Sequence, residues 1–109
     1  YSQAIKANGM IFTSGQIPLC PATGELVTET IEKAAERSLE NNKAILENAG
    51  SSLEKVIKVA IFLADINDFA KVNEVYGRYF SDHKPARSCV QVAALPKGAP
   101  IEIEMIALA

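Results

Sequence analysis

A chain of 109 residues with 49% hydrophobic side chains can bury one core, and eleven basic against thirteen acidic residues leave a net charge of −2 without a long run of either sign. That balance offers no broad footprint for nucleic acid, and no apolar run reaches the roughly 20 residues of a spanning helix, so a soluble protein with neither a nucleic-acid nor a membrane partner is expected. A single histidine, His83, excludes a multi-histidine metal site; Cys20 and Cys89 lack metal or disulfide spacing, which predicts free thiols in a reducing compartment.

Residues 3–7 and 10–14 flank Asn8-Gly9, a pair suited to a two-residue turn with positive φ at both central positions. The hairpin this predicts sets Ala7 opposite Met10, Ile5 opposite Phe12, Gln3 opposite Ser14 and Tyr1 opposite Gln16, so that Tyr1 and Ser14 share a face. Pro18, Pro21 and Gly24 mark a loop. Ile31, Ala34, Ala35, Leu39, Ile45, Leu46 and Ala49 then recur at helical spacing up to Gly50, with Asn42 on the inner side, where it needs a partner. Ser51 and Glu54 fit a capping box for a short turn, and Val56 to Leu63 is apolar enough to predict a central strand. A second helix starts near Asp68, carries Phe69, Val72, Tyr76, Tyr79 and Phe80 on one stripe, and stops before Lys84-Pro85. Ala86 to Ala93 and Ile101 to Leu108 read as the last strands. The order is ββαβαββ in a single domain, residues 1–109, and an α+β mixed sheet with two helices packed on one face is the simplest architecture.

Alternation assigns faces. Val90 and Val92 point away from Arg87, Cys89 and Gln91, while Ile101, Ile103 and Met105 point away from Glu102 and Glu104. Placing the valines and isoleucines beneath the helices predicts that Arg87, Cys89, Glu102 and Glu104 share the uncovered face with Phe62, Ile106 and Leu108, a mixture suited to contact with other subunits. Lys58 is expected to meet a carboxylate there. On a rigid strand at such a contact, Arg87 offers a planar fork to a ligand carboxylate; the same geometry suits a salt bridge to Glu102 or Glu104. The residues alone leave both readings open.

Several segments together resemble the YjgF/RidA family of reactive-intermediate deaminases. They are Tyr1, Ser14-Gly15-Gln16-Ile17-Pro18, Thr23-Gly24-Glu25, Val59 with Phe62-Leu63 and Asp65, Asp68-Phe69 with Val72-Asn73, Pro85-Ala86-Arg87-Ser88-Cys89-Val90, and Ile101-Glu102-Ile103-Glu104. The resemblance spans nearly the whole chain, and the arginine block followed by the spaced Ile-Glu is its most specific part; Asn42, where the family usually has an aliphatic residue, departs from it. It implies a chorismate-mutase-like fold assembled as a homotrimer, with sheets inward, helices outside and three sites in clefts between subunits. It also implies hydrolysis of 2-imino or 2-enamino acids, released by pyridoxal-phosphate-dependent serine or threonine dehydratases, to 2-keto acids and ammonia without metal or cofactor. On this resemblance Arg87 pairs with the substrate carboxylate, and Glu102 positions water or moves protons. Backbone groups of Gly15 and Cys89 contact the substrate, Tyr1 closes the cleft, and Ser14 is a further candidate. A cytoplasmic or mitochondrial-matrix location is expected. The competing expectation, from relatives of the same fold, is a small-molecule-sensing or RNA-directed, translation-inhibiting role. A basic surface stripe would favour it, and the sequence shows none.

Overall fold

Asn8 at φ 51° and Gly9 at φ 74° close the turn between β1 (Ala4–Ala7) and β2 (Met10–Thr13), the left-handed pair that a two-residue hairpin requires. A computed structural model describes residues 1–109. In it Ala7 opposes Met10 and Ile5 opposes Phe12, the register expected from the turn. The Ser14 amide continues the pairing by donating to the Gln3 carbonyl at 2.8 Å. Helix α1 (Ile31–Asn48) begins where the Thr30 hydroxyl accepts from the Lys33 amide at 3.1 Å. Strand β3 (Val56–Leu63), helix α2 (Phe69–Tyr79), strand β4 (Ala86–Gln91) and strand β5 (Ile101–Leu108) follow. The capping box expected at Ser51 and Glu54 does not form: Ser52 caps the short turn without a side-chain bond, and the Ser51 hydroxyl donates to the Leu108 carbonyl at 2.6 Å instead.

The five strands form one mixed sheet in the order β1-β2-β5-β3-β4. Only β3 and β4, joined through α2, run parallel. The middle strand is therefore β5, not β3, because the last strand of the chain inserts between the hairpin and β3 and pairs with both. Strand β4 is an edge, and it ends two residues earlier than expected. Both helices cover one face, where Leu39 and Leu46 of α1 and Val72 and Val75 of α2 meet Val59, Ile61, Ile103 and Met105 of the sheet.

Asn42 is fully buried, and the structure supplies its partners. Its amide nitrogen donates to the Ser38 carbonyl at 3.0 Å and the Ile103 carbonyl at 3.1 Å, and its oxygen accepts from the Thr13 hydroxyl at 2.9 Å. The Thr13 oxygen in turn accepts from the Met105 amide at 2.9 Å. Where β2 stops pairing with β5, these side chains satisfy the backbone and tie α1 to both strands.

Candidate active site

The parallel pairing of β4 with β3 sets Arg87 beside Val59 and Cys89 beside Ile61, both of which are buried beneath the helices. Arg87 and Cys89 therefore lie on the helix-covered face, and the expectation that they share the open face with Glu102 and Glu104 is incorrect. The physical reason is β4's edge position: paired with β3 alone, it leaves Val90, the valine that alternation would bury, 47% exposed on the other face. Apolar alternation identifies the core face of an interior strand, but an edge strand can turn its apolar side to whatever covers the open sheet.

Arg87 reaches back over α2. Its guanidinium carbon stands 4.6 Å from the Tyr76 ring centre and 5.4 Å from that of Phe69, and one terminal nitrogen donates to the Asn73 amide oxygen at 2.6 Å. Residues 69, 73 and 76 fall on one side of the helix because they are spaced by four and three. No carboxylate lies within ion-pair distance of Arg87; the ion pairs of the chain are Lys33–Glu29 and Arg78–Glu36. The charge is thus held by a neutral amide and two rings, with its remaining N–H donors free. An open depression of about 450 Å³ adjoins it, lined also by Asn73, Tyr76, Phe80, Ser81 and Lys84. Two cations and no acid line this hollow, in a chain whose net charge is −2.

Cys89 packs against the core, and burial pushes its thiol up from the usual range, against a smaller opposing pull from Arg87. A thiol held protonated in this way is a poor nucleophile.

Glu102 lies on the open face, paired across β3 through Phe62 with Val90. Burial first, and the charge of Glu104 second, raise its pKa. Its side chain fills the space over Gly15, where a Cβ would collide with the carboxylate Oε1. Gly15 is therefore fixed by the close approach of a side chain and not by an unusual φ, and the Gln16–Ile103 bridge locks the loop beside β5. The Ser14 hydroxyl donates to the Ser2 carbonyl at 2.6 Å, holding the N-terminal segment. Tyr1 is fully exposed, outside any strand, and lines a shallow hollow with Gln3, Gln16 and Cys20. It pairs with nothing opposite Gln16, whose backbone is engaged by Ile103. Lys58 donates to the Ser88 hydroxyl at 3.1 Å and not to a carboxylate.

Two separate clusters result. Gly15 and Glu102 form one with Ser14 close by; Arg87 and Cys89 form the other on an edge strand. Glu102 and Arg87 sit two strands apart on opposite faces of the sheet. The sequence reading assigned Phe69 and Tyr76 to the core and gave Asn73 no role. The three-and-four spacing of an amide between two aromatics, facing an arginine strand, was the signal for all three.

A guanidinium with no acidic partner on a strand edge and a carboxylate packed against a glycine loop are thus set on a five-stranded α+β sheet with both helices on one face. The family model described as Endoribonuclease L-PSP matches residues 1–109, and the chain belongs to this family, also known as YjgF/RidA. A RutC family protein of Pyrococcus abyssi is 56% identical over 107 residues, 98% of this chain and 84% of that one. Escherichia coli "Putative reactive intermediate deaminase TdcF" is 50% identical over 111 residues, 99% of this chain and 85% of the relative. A crystal structure of E. coli TdcF with bound serine superposes with a TM-score of 0.94, covering 100% of this chain and 87% of the other.

Proposed function

We propose that the protein hydrolyses 2-imino and 2-enamino acids to 2-keto acids and ammonia, with the substrate carboxylate on Arg87. The observation that carries this reading is the Arg87 guanidinium, fixed in direction by Asn73 and Tyr76 yet opposed by no acid. Serine bound to TdcF, a relative described as a deaminase of reactive intermediates, is an amino acid with the same carboxylate. An enamino acid first takes a proton at carbon to become the iminium, whose carbon is electrophilic. Water then adds its oxygen to that carbon and gives up a proton; the carbinolamine nitrogen gains one, and the C–N bond breaks with its electron pair leaving on ammonia while the hydroxyl oxygen gives its proton to the carrier and forms the C=O bond. Positioning and one proton carrier suffice for these steps. Glu102 fills the carrier role, its pKa raised toward the working pH by burial and by Glu104.

Because Arg87 and Glu102 diverge within one chain, a complete site on this reading combines β4 of one copy, with Arg87 and the Cys89 backbone, and the Ser14-Gly15 loop with Glu102 of another. Tyr1 closes the cleft. A homotrimer with three such sites is the assembly this reading takes, and the apolar side chains of the open face, Phe12, Val90 and Leu108, suit its interfaces.

The deciding experiment is a coupled assay in which a threonine dehydratase releases the imine and keto-acid formation is followed with and without this protein. Acceleration supports the proposal, and no acceleration overturns it. The second reading, RNA cleavage, takes its support from the description of the family model. Cleavage of RNA by the purified protein, lost together with Glu102, would favour it over deamination.

A further inference from the structure

We propose that Tyr76 is the positioning residue of the anion anchor, and that the face of its ring, not its hydroxyl, sets the direction in which Arg87 presents its N–H groups. The inference rests on the reading of Arg87 as the carboxylate anchor and adds the residue that aims it.

Three observations carry it. Tyr76 is 8% exposed and sits in the core with its ring centre 4.8 Å from that of Phe80, so the platform beneath the guanidinium is built into the fold and is not a mobile surface group. Its hydroxyl is buried without a hydrogen-bond partner, so nothing in the chain uses the oxygen. The guanidinium carbon lies closer to this ring, 4.6 Å, than to the more exposed Phe69, 5.4 Å.

An arginine held by a carboxylate would be aimed but neutralised. A ring attracts the cation through its quadrupole and occupies only the flat face, so the edge N–H groups and the full charge stay available to a ligand. Asn73 fixes rotation about that face at one nitrogen. Helix α2 thereby orients a side chain that belongs to the neighbouring edge strand.

The test follows the Arg87 side-chain Nε–H resonance by NMR, assigned through its loss in R87K, alongside kcat/KM for the dehydratase-generated imine. Tyr76→Phe keeps the face and loses the oxygen; Tyr76→Leu loses the face and keeps apolar bulk. In wild type and Y76F the Arg87 signal should show the upfield ring-current shift and restricted motion. In Y76L it should move to the position of a free arginine while kcat/KM falls by about 2- to 30-fold, the range of a cation–π contact, with Y76F recovering most of that loss. Phe69→Leu, at an exposed position, gives a smaller change in the same direction and provides the comparison should Y76L not fold. An unchanged Arg87 signal in folded Y76L, or equal impairment of Y76F and Y76L, overturns the inference; if Y76L does not fold, the absence of the upfield ring-current shift from both wild type and Y76F does so. A wild-type protein that turns over no imine overturns the deaminase reading instead, and the resonance still decides the role of Tyr76.

Discussion

The Arg87 guanidinium donates to the Asn73 amide oxygen across 2.6 Å, so a full positive charge faces a neutral acceptor. Asn73→Asp keeps the shape and the bond but supplies a built-in counter-ion that competes with substrate. Its kcat/KM should fall below that of Asn73→Ala. Lysine at position 87 keeps the charge and loses the planar fork, and loss of one charge-assisted bond of about 1.5–3 kcal/mol predicts a fall of roughly one to two decades. Steady-state kinetics with sedimentation on the same samples check both. An R87K protein with wild-type turnover would rule out the bidentate anchor.

Glu102 predicts a pH profile. Burial and Glu104 raise its pKa, so the acid limb of kcat/KM should lie above that of an ordinary carboxylate. Removing the like charge with Glu104→Gln favours the ionised form and should move the limb to lower pH, while Glu102→Gln should remove activity. Stability has the opposite sign: a carboxyl raised in the folded state contributes fully below its unfolded pKa, and the contribution is lost as pH rises through the folded value. Glu102→Gln should therefore melt no lower than wild type at neutral pH, measured by calorimetry.

Gly15→Ala separates the site from the fold. The added Cβ would collide with the end of the Glu102 side chain, which can swing away, and not with backbone. The variant should melt within a few degrees of wild type yet lose at least about tenfold in kcat/KM, as misplacement of a reacting group predicts. Unchanged kinetics would mean that the Glu102 carboxylate is not used where it lies.

Much of this architecture is legible in the sequence for physical reasons. Asn8-Gly9 admits few turn conformations, so the register of the first hairpin follows from two residues. The helical spacing from Ile31 to Ala49 and the alternation of Ile101, Ile103 and Met105 report burial on one side, and both elements form with those sides inward. The rank of β3 was less legible, because a strand buried by neighbours on both edges reads alike whether it is second or third in order. The facing of β4 was misread because its one valine, Val90, serves the open side of the sheet. That single inversion moved Arg87 from beside Glu102 to beside Tyr76, a relationship that depends on the parallel register with β3 and not on any pattern within β4. Arg87, Glu102 and Gly15 were given roles through the resemblance, whereas Asn73 stood among the resembling residues without one.

Asn42→Ala should be among the most destabilising single changes away from the site. It removes the Asn42 bonds to the Ile103 and Ser38 carbonyls, takes away the Thr13 hydroxyl's acceptor at 2.9 Å, and opens a small void in a fully buried position. A cost of about 2–4 kcal/mol is expected, read as a fall of roughly 10–20 °C in melting temperature.

Assembly is predicted from the open face. Phe12, Val90 and Leu108 are each more than a third exposed there, and the edge of β4 is unpaired. Sedimentation at micromolar concentration should give three times the mass of one chain, and Val90→Glu should lower it. A stable monomer would contradict both the trimer and a site shared between copies.

The placement of Arg87 and Glu102 on opposite sides of one sheet has a genetic counterpart. If each copy lends its arginine to one cleft and its carboxylate to another, an inactive R87A chain and an inactive E102Q chain carry complementary defects. Co-expressed, they would form mixed rings in which some clefts draw both side chains from intact donors, so two dead alleles restore partial activity. A single defective allele would in turn impair wild-type copies that share its ring, and inheritance at this locus would follow the geometry of the sheet.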